Sequence, residues 1–292
     1  MADQLTLSAG AGREAEARRT ARVGAGPLLL LPAVLFLAVF FIVPLLIVVW
    51  MSFTEPAPGI GNYVRFFSSA HDLGILLNTF RTSAIVTVAA LVIAYPVAYV
   101  AARYGGVISA FLLLVVTLSF WTSFLVRTYA WMVILGVKGP VTAVLGWLAF
   151  SQPPQILFTT FASTFAMTHL LVPFMTLTLY SVMKRIDPNL MRAASGLGAR
   201  PWRAFVSVYL PLSLPGVVNG AVLVFITCLG FYVTPALLGS PRDRMIAGAI
   251  GEEIEHLLDF GHGSAMAMVL LAATLALFFI YTRFFGLDRL WR

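Results

Sequence analysis

The chain has 292 residues, a formal net charge of +7, 60% hydrophobic residues and only 11% charged residues. A soluble domain carries about 25% charged residues, so lipid rather than water must solvate much of this surface. The basic excess shows no aromatic-interleaved stripe of the kind that grips nucleic acid, which is excluded as a partner, and the lone cysteine, Cys228, excludes an intrachain disulfide or a multi-cysteine metal site.

Residues 1–26 are small and polar, with Arg13, Arg18, Arg19 and Arg22 among Ala and Gly, and are expected to form a disordered cytoplasmic arm ahead of a permease-sized membrane domain over 27–292. From Leu28 to Met51 no charge occurs. That run exceeds the apolar core of a signal peptide, about 7–15 residues, and is expected to stay as the first span. Further spans are expected at Thr82–Ala102, Val107–Val126, Leu157–Met183, Phe205–Leu238 and Ser264–Thr282. The stretch Trp131–Phe150 is apolar but broken by Gly136, Lys138, Gly139, Pro140 and Gly146, and is expected to be a short interfacial or re-entrant helix. The fold class is therefore all-α: a polytopic membrane protein with about six transmembrane helices.

Charge placement orients these spans. With the N-terminus inside, thirteen of the nineteen basic residues fall on the cytoplasmic side and six outside, while Glu252, Glu253, Glu255 and Asp259 lean outward. The positive-inside rule then places both termini in the cytoplasm. Pro96, Pro173, Pro211, Pro215 and Pro235 fall in or near spans, where proline kinks helices.

Absences narrow the function. The two lysines, Lys138 and Lys184, are followed by Gly139 and Arg185, so neither sits in the Gly-Lys-Ser/Thr of a phosphate-binding P-loop. Span interiors hold almost no ionisable group to carry a coupling ion. His169 is the exception, and an interhelical hydrogen bond is its expected role. A catalytic site is not expected, nor a resident metal or cofactor, and an energy source, if there is one, is expected on another chain; a channel or ion-coupled carrier without an ATPase is the alternative.

The longest cytoplasmic segment, 184–211, reads KRIDPNLMRAASGLGARPWRAFVSVYLP. Asp187 is a good N-cap and Pro188 a good first helical residue. Leu190, Ala193, Ala194 and Leu197 make one narrow apolar face, and Gly198 stands where a helix takes a left-handed terminator. The result is a short helix suited to a partner's groove, with an ordinary interfacial helix between two spans as the alternative.

This segment resembles the signature loop of binding-protein-dependent ABC importer permeases: Glu-Ala-Ala, three residues, Gly, nine residues, Ile, one residue, Leu-Pro. Here Arg192-Ala193-Ala194, Gly198, Val208 and Leu210-Pro211 keep every spacing. Two residues depart, Val208 for Ile and Arg192 for Glu, the second reversing a charge. The resemblance implies a type I ABC importer permease in the bacterial inner membrane. It makes 188–198 the coupling helix, with Asp187, Leu190, Arg192, Ala193, Ala194, Leu197, Gly198, Leu210 and Pro211 serving the ATPase contact. It also implies two ATP-binding subunits carrying the ATP and magnesium, a second homologous permease and a periplasmic solute-binding protein.

Two other segments, Phe120–Trp131 and Gly230–Gly239, resemble the spermidine/putrescine branch, which also includes permeases for opines and other small solutes. Both mix aromatics with hydroxyls. Trp121, Thr122, Arg127, Thr128, Tyr129, Trp131, Tyr232, Thr234 and Pro235 are the candidate pathway residues, since aromatic faces attract alkylammonium groups; an interfacial aromatic belt is the alternative. Arg127 opposes a cation pathway and suits pairing with an acid on a partner.

Overall fold

The computed structural model describes residues 30–148 and 154–285. The expected arm, 1–26, lies outside them. Among the described residues there are helices and no strand.

Helix α1, Leu30–Thr54, is long and apolar enough to cross a membrane, and no residue of its most apolar window is buried in the chain. Phe40 and Phe41 are among the many large side chains it leaves exposed. Such exposure is ruinous in water and ordinary in lipid, where apolar surface has nothing to gain by hiding. A short helix α2, Gly61–Ser68, follows. Helix α3, Ala70–Tyr104, is longer than the expected span by more than a turn at its start. Ser69 caps it by accepting a bond from the backbone N–H of Asp72 at 3.2 Å.

Gly105 and Gly106, with φ of 57° and 58°, reverse the chain into α4, Gly106–Trp121. These values lie in the left-handed region that glycine enters without steric cost. The expected span 107–126 is corrected here. The helix stops at Trp121, Thr122 and Ser123 are extended, and α5, Phe124–Ile134, leaves at 96° to α4. The expected single helix in 131–150 is likewise two pieces: the end of α5, then α6, Pro140–Trp147. The separation has a physical reason, because a Cβ on Gly139 would lie 2.5 Å from the carbonyl oxygens of Val133 and Ile134. Residues 149–150 fall outside the described set.

Helix α7, Thr160–Met183, is the central pillar, capped by Thr159. Helix α8, Pro188–Gly196, is short. Helix α9 runs Pro201–Leu229 and includes a π-helical turn at Phe205–Tyr209. The expected span to Leu238 is also corrected: the helix ends at Leu229, and a six-residue helix α10, Val233–Leu238, follows a three-residue break. Helices α11, Ile246–Glu255, and α12, Phe260–Phe285, complete the described chain.

The core runs down α3, α7 and α9. Ala90, Ala94 and Ala98 of α3 are fully buried, at the i, i+4 spacing that lays them along one edge. They pack with Met167, Leu171, Met175, Leu179 and Met183 of α7. Lipid offers no hydrophobic drive between helices, so close backbone approach through small residues does this work. Gly216 and Gly220 play the same part on α9, where added Cβ atoms would lie 3.0 Å from Val182 and 2.7 Å from Met175 of α7. Helices α1 and α12 pack on each other outside this core.

Candidate functional site

Two features stand out at opposite ends of the bundle. The first is a cavity of about 470 Å³ where the α4–α5 break meets the α9–α10 break, with the middle of α7 behind it. Phe120, Thr122, Phe124 and Arg127 line it from the first break, Thr227, Gly230, Phe231, Tyr232 and Val233 from the second, and Leu170, Leu171 and Phe174 from α7. Phe120 meets Phe174 edge-on at 4.9 Å.

The nine residues singled out in sequence divide here. Thr122, Arg127 and Tyr232 line the cavity. Thr128 and Thr234 are fully buried and share a 3.2 Å hydroxyl bond that ties α5 to α10. Trp131 donates its indole N–H to Nδ1 of His169 at 3.2 Å and packs edge-on against Phe165 at 4.8 Å. The interhelical bond expected of His169 is therefore present, on α5. Trp121 and Tyr129 are exposed. Pro235, buried in α10, lies instead on a second space of about 920 Å³, which Tyr232 also borders.

This second space runs from α10 to α11 and is edged by Glu252, Glu255 and His256. Arg244 pairs with Glu252 at 2.5 Å. Asp243 closes the turn beneath it, accepting from Ser240 Oγ and Thr160 Oγ1 at 2.7 Å each. Beyond α11, Arg65 of α2 reaches Asp259 at 2.6 Å, and Asp259 also accepts the backbone N–H of His262 at 3.0 Å.

Burial would raise the Asp259 carboxyl, but the His262 N–H and the Arg65 side chain outweigh it and hold the group below its ordinary value. A carboxyl depressed by folding adds stability above its unfolded pKa and loses it as pH falls through the folded value. The link between α2 and the start of α12 is thus complete at neutral pH and lost progressively below about pH 4. The thermal midpoint of the solubilised protein is expected to fall less steeply in that range for Arg65→Gln than for the wild type. Parallel acid limbs would show that the pair contributes nothing, and high salt should narrow the difference.

The second feature is α8. Asp187 accepts from the N–H of Asn189 at 2.9 Å and Pro188 opens the helix. The helix closes at Gly196, two residues before the expected end. Gly198 follows at φ 84°, and Ala199 N–H bonds back to Ala194 O at 3.0 Å. Met191, with the preceding Ile186, turns inward onto the core cluster. The expected apolar face points the other way: Leu197 is 90% exposed, Leu190 43%, Ala193 is exposed and Ala194 half-buried. Arg192 is exposed, its guanidinium 3.3 Å from Asn189 Oδ1. Leu210 and Pro211 stand just past the π-helical turn, half-buried and exposed respectively.

An aromatic ladder carries this end into the core. Trp202 stacks on Phe205 at 6.0 Å and Phe205 on Tyr209 at 5.8 Å, and Tyr99 of α3 meets Tyr209 edge-on at 4.9 Å. Sequence reasoning passed over these residues. The signal was present in the i, i+4 pairs Tyr95/Tyr99 and Phe205/Tyr209, which place each pair on one helix face. It passed over Gly216-x-x-x-Gly220 as well, a spacing that marks close helix contact in membranes.

Residues 94–287 match the family described as the binding-protein-dependent transport system inner membrane component. The chain belongs to this family. Among its curated relatives is the spermidine/putrescine transport system permease protein PotB of Haemophilus influenzae, 34% identical over 77% of this chain and 78% of the relative. PotB of Escherichia coli is 29% identical over 80% of this chain and 84% of its own. The inner membrane ABC transporter permease protein YdcU of E. coli is 30% identical over 73% and 75%. A solved bacterial ABC transporter that imports the acidic polysaccharide alginate has a chain of the same fold, with TM-score 0.67 over 91% of this chain and 98% of that one, at 18% identity. The same importer in complex with its alginate pentasaccharide-bound periplasmic protein gives TM-score 0.70 over 92% and 98%, at 17% identity. This permease is therefore a multi-pass inner-membrane component of an importer served by a binding protein.

Proposed function

We propose that this permease is one half of the membrane pore of an ATP-driven polyamine importer of the spermidine/putrescine type. The observation that carries the reading is α8. It is a short, capped helix whose apolar face is left largely exposed by the described residues, within a loop that keeps every spacing of the family's signature. The termini and α8 lie in the cytoplasm, and the helix breaks lie toward the periplasm. A separate pair of ATP-binding subunits supplies ATP and magnesium, each pair member offering a groove to one coupling helix. A second, related permease completes the pore, and a periplasmic binding protein delivers solute. Closure of the ATPase dimer moves α8, and the ladder Trp202–Phe205–Tyr209–Tyr99 passes that motion to α3 and α9. The pore then opens outward to the docked binding protein, and hydrolysis resets it.

Support for polyamines comes from the names of the PotB relatives and from the aromatic lining of the cavity. A second reading, import of an opine or other carboxylated small solute, is favoured by Arg127 in that lining. Labelled putrescine and spermidine uptake, in cells with and without this chain, separates them. ATP-dependent uptake that disappears with the chain supports the polyamine importer. Uptake that persists unchanged removes polyamines as the main substrate and leaves the importer class standing.

A further inference from the structure

Among the described residues that line the 470 Å³ cavity, Arg127 is the one cation and none is a carboxylate. Its Nε and Nη1 are buried and have no hydrogen-bond partner among the described residues. A guanidinium carries five N–H donors and stays charged, so its demand for an acceptor cannot be met by losing a proton. Arg127 also stands in the first turn of α5, whose N-cap residue Ser123 gives no side-chain bond to the free backbone N–H groups there. A cation at a helix N-terminus is unfavourable by itself, because the helix dipole is positive at that end. Thr122 and Phe124, which flank that terminus, line the same cavity. Two sources of positive potential thus converge on one space, and the described residues that line it supply no negative charge.

We propose that Arg127 and the N-terminus of α5 form a carboxylate-binding site, filled by an anion that the described residues lining the cavity do not provide. Carboxylate is the chemistry of choice because its two oxygens match the guanidinium fork and also accept from helix N–H groups. The group has two sources. It belongs to the transported solute, as in an opine, or to an acidic side chain of the second permease, which would neutralise Arg127 and let a polyamine pass. The inference rests on the reading of this chain as an importer permease whose helix breaks border the pathway.

The test uses the intact transporter, reconstituted with its cognate subunits and binding protein, with Arg127→Gln and Arg127→Lys beside the wild type. The probes are labelled putrescine, which has no carboxylate, and labelled octopine, which has. With the solute as source, Arg127→Gln raises the KM for octopine about tenfold or more, and Arg127→Lys restores part of the loss. With the second permease as source, Arg127→Gln lowers recovery of that permease on affinity purification several-fold and reduces uptake of whichever probe the wild type moves. Unchanged KM together with unchanged recovery overturns the inference while leaving the proposed function intact. A wild-type complex that moves neither probe counts against the function. Recovery of the second permease then decides the site, and unchanged recovery overturns it.

Discussion

Leu197→Glu is expected to abolish coupled uptake while the chain stays folded and inserted. Leu197 is 90% exposed, so the substitution removes almost no internal contact, and exposed substitutions usually shift stability by no more than about 0.5 kcal/mol. On the proposed function, the same side chain enters the ATPase groove in the docked complex. A carboxylate buried there without a partner costs far more than the leucine contact it replaces. A tenfold fall in uptake corresponds to about 1.4 kcal/mol, and the loss should be at least that. Ala194→Trp should act similarly by bulk, since Ala194 is half-buried beside Leu197 and its carbonyl already serves Ala199. In both variants ATP hydrolysis should continue without transport. Full-rate uptake, at equal abundance in the membrane, would place the coupling contact elsewhere.

The second large effect concerns Gly216. An added Cβ would lie 3.0 Å from Cβ of Val182 and within 3.4 Å of both its methyl carbons. Val182 is β-branched and stiff, so it has little room to swing aside. Gly216→Leu must therefore push α9 off α7, and overpacking of this kind costs roughly 1–3 kcal/mol. Gly220 is the gentler site. Its nearest obstacle is the sulfur of Met175, part of a flexible side chain. Thermal unfolding in detergent should rank wild type above Gly220→Ala and that above Gly216→Leu. Gly251→Ala, mid-helix with nothing within 4 Å, is the control and should match or slightly exceed the wild type. Equal midpoints for Gly216→Leu and the control would mean that α7 and α9 do not pack this closely.

The sequence was most legible where causes are local. Asp187-Pro188 starts α8 and Gly198 follows its end because capping and left-handed glycine act within a few residues. The spans were legible because lipid demands long apolar runs. The breaks were not. Thr122-Ser123 carries no proline, glycine or charge, and the bend there depends on α5 finding α7 and α10. At the second break Gly230 and the nearby Pro235 offered hints, but neither fixes where the helix stops. The Thr128–Thr234 bond joins residues 106 positions apart, so no window along the chain contains it. Arg127 was visible as an oddity. Its burial without a partner became visible only once the two breaks were seen to enclose one space.

Helix α1 packs chiefly against α12, the last helix described. Between the end of α1 at Thr54 and the start of α12 at Phe260 lies most of the chain. At ribosomal speeds of about 5–20 residues per second, that interval lasts roughly 10–40 s. Throughout it α1 waits in the bilayer without its mate. It can wait because a helix satisfies its own backbone there. Assembly of this permease thus closes like a clasp, an early-made piece fastened by one made much later, and a ribosome that stops short of α12 leaves the clasp open to whatever surveys the membrane for unfinished chains.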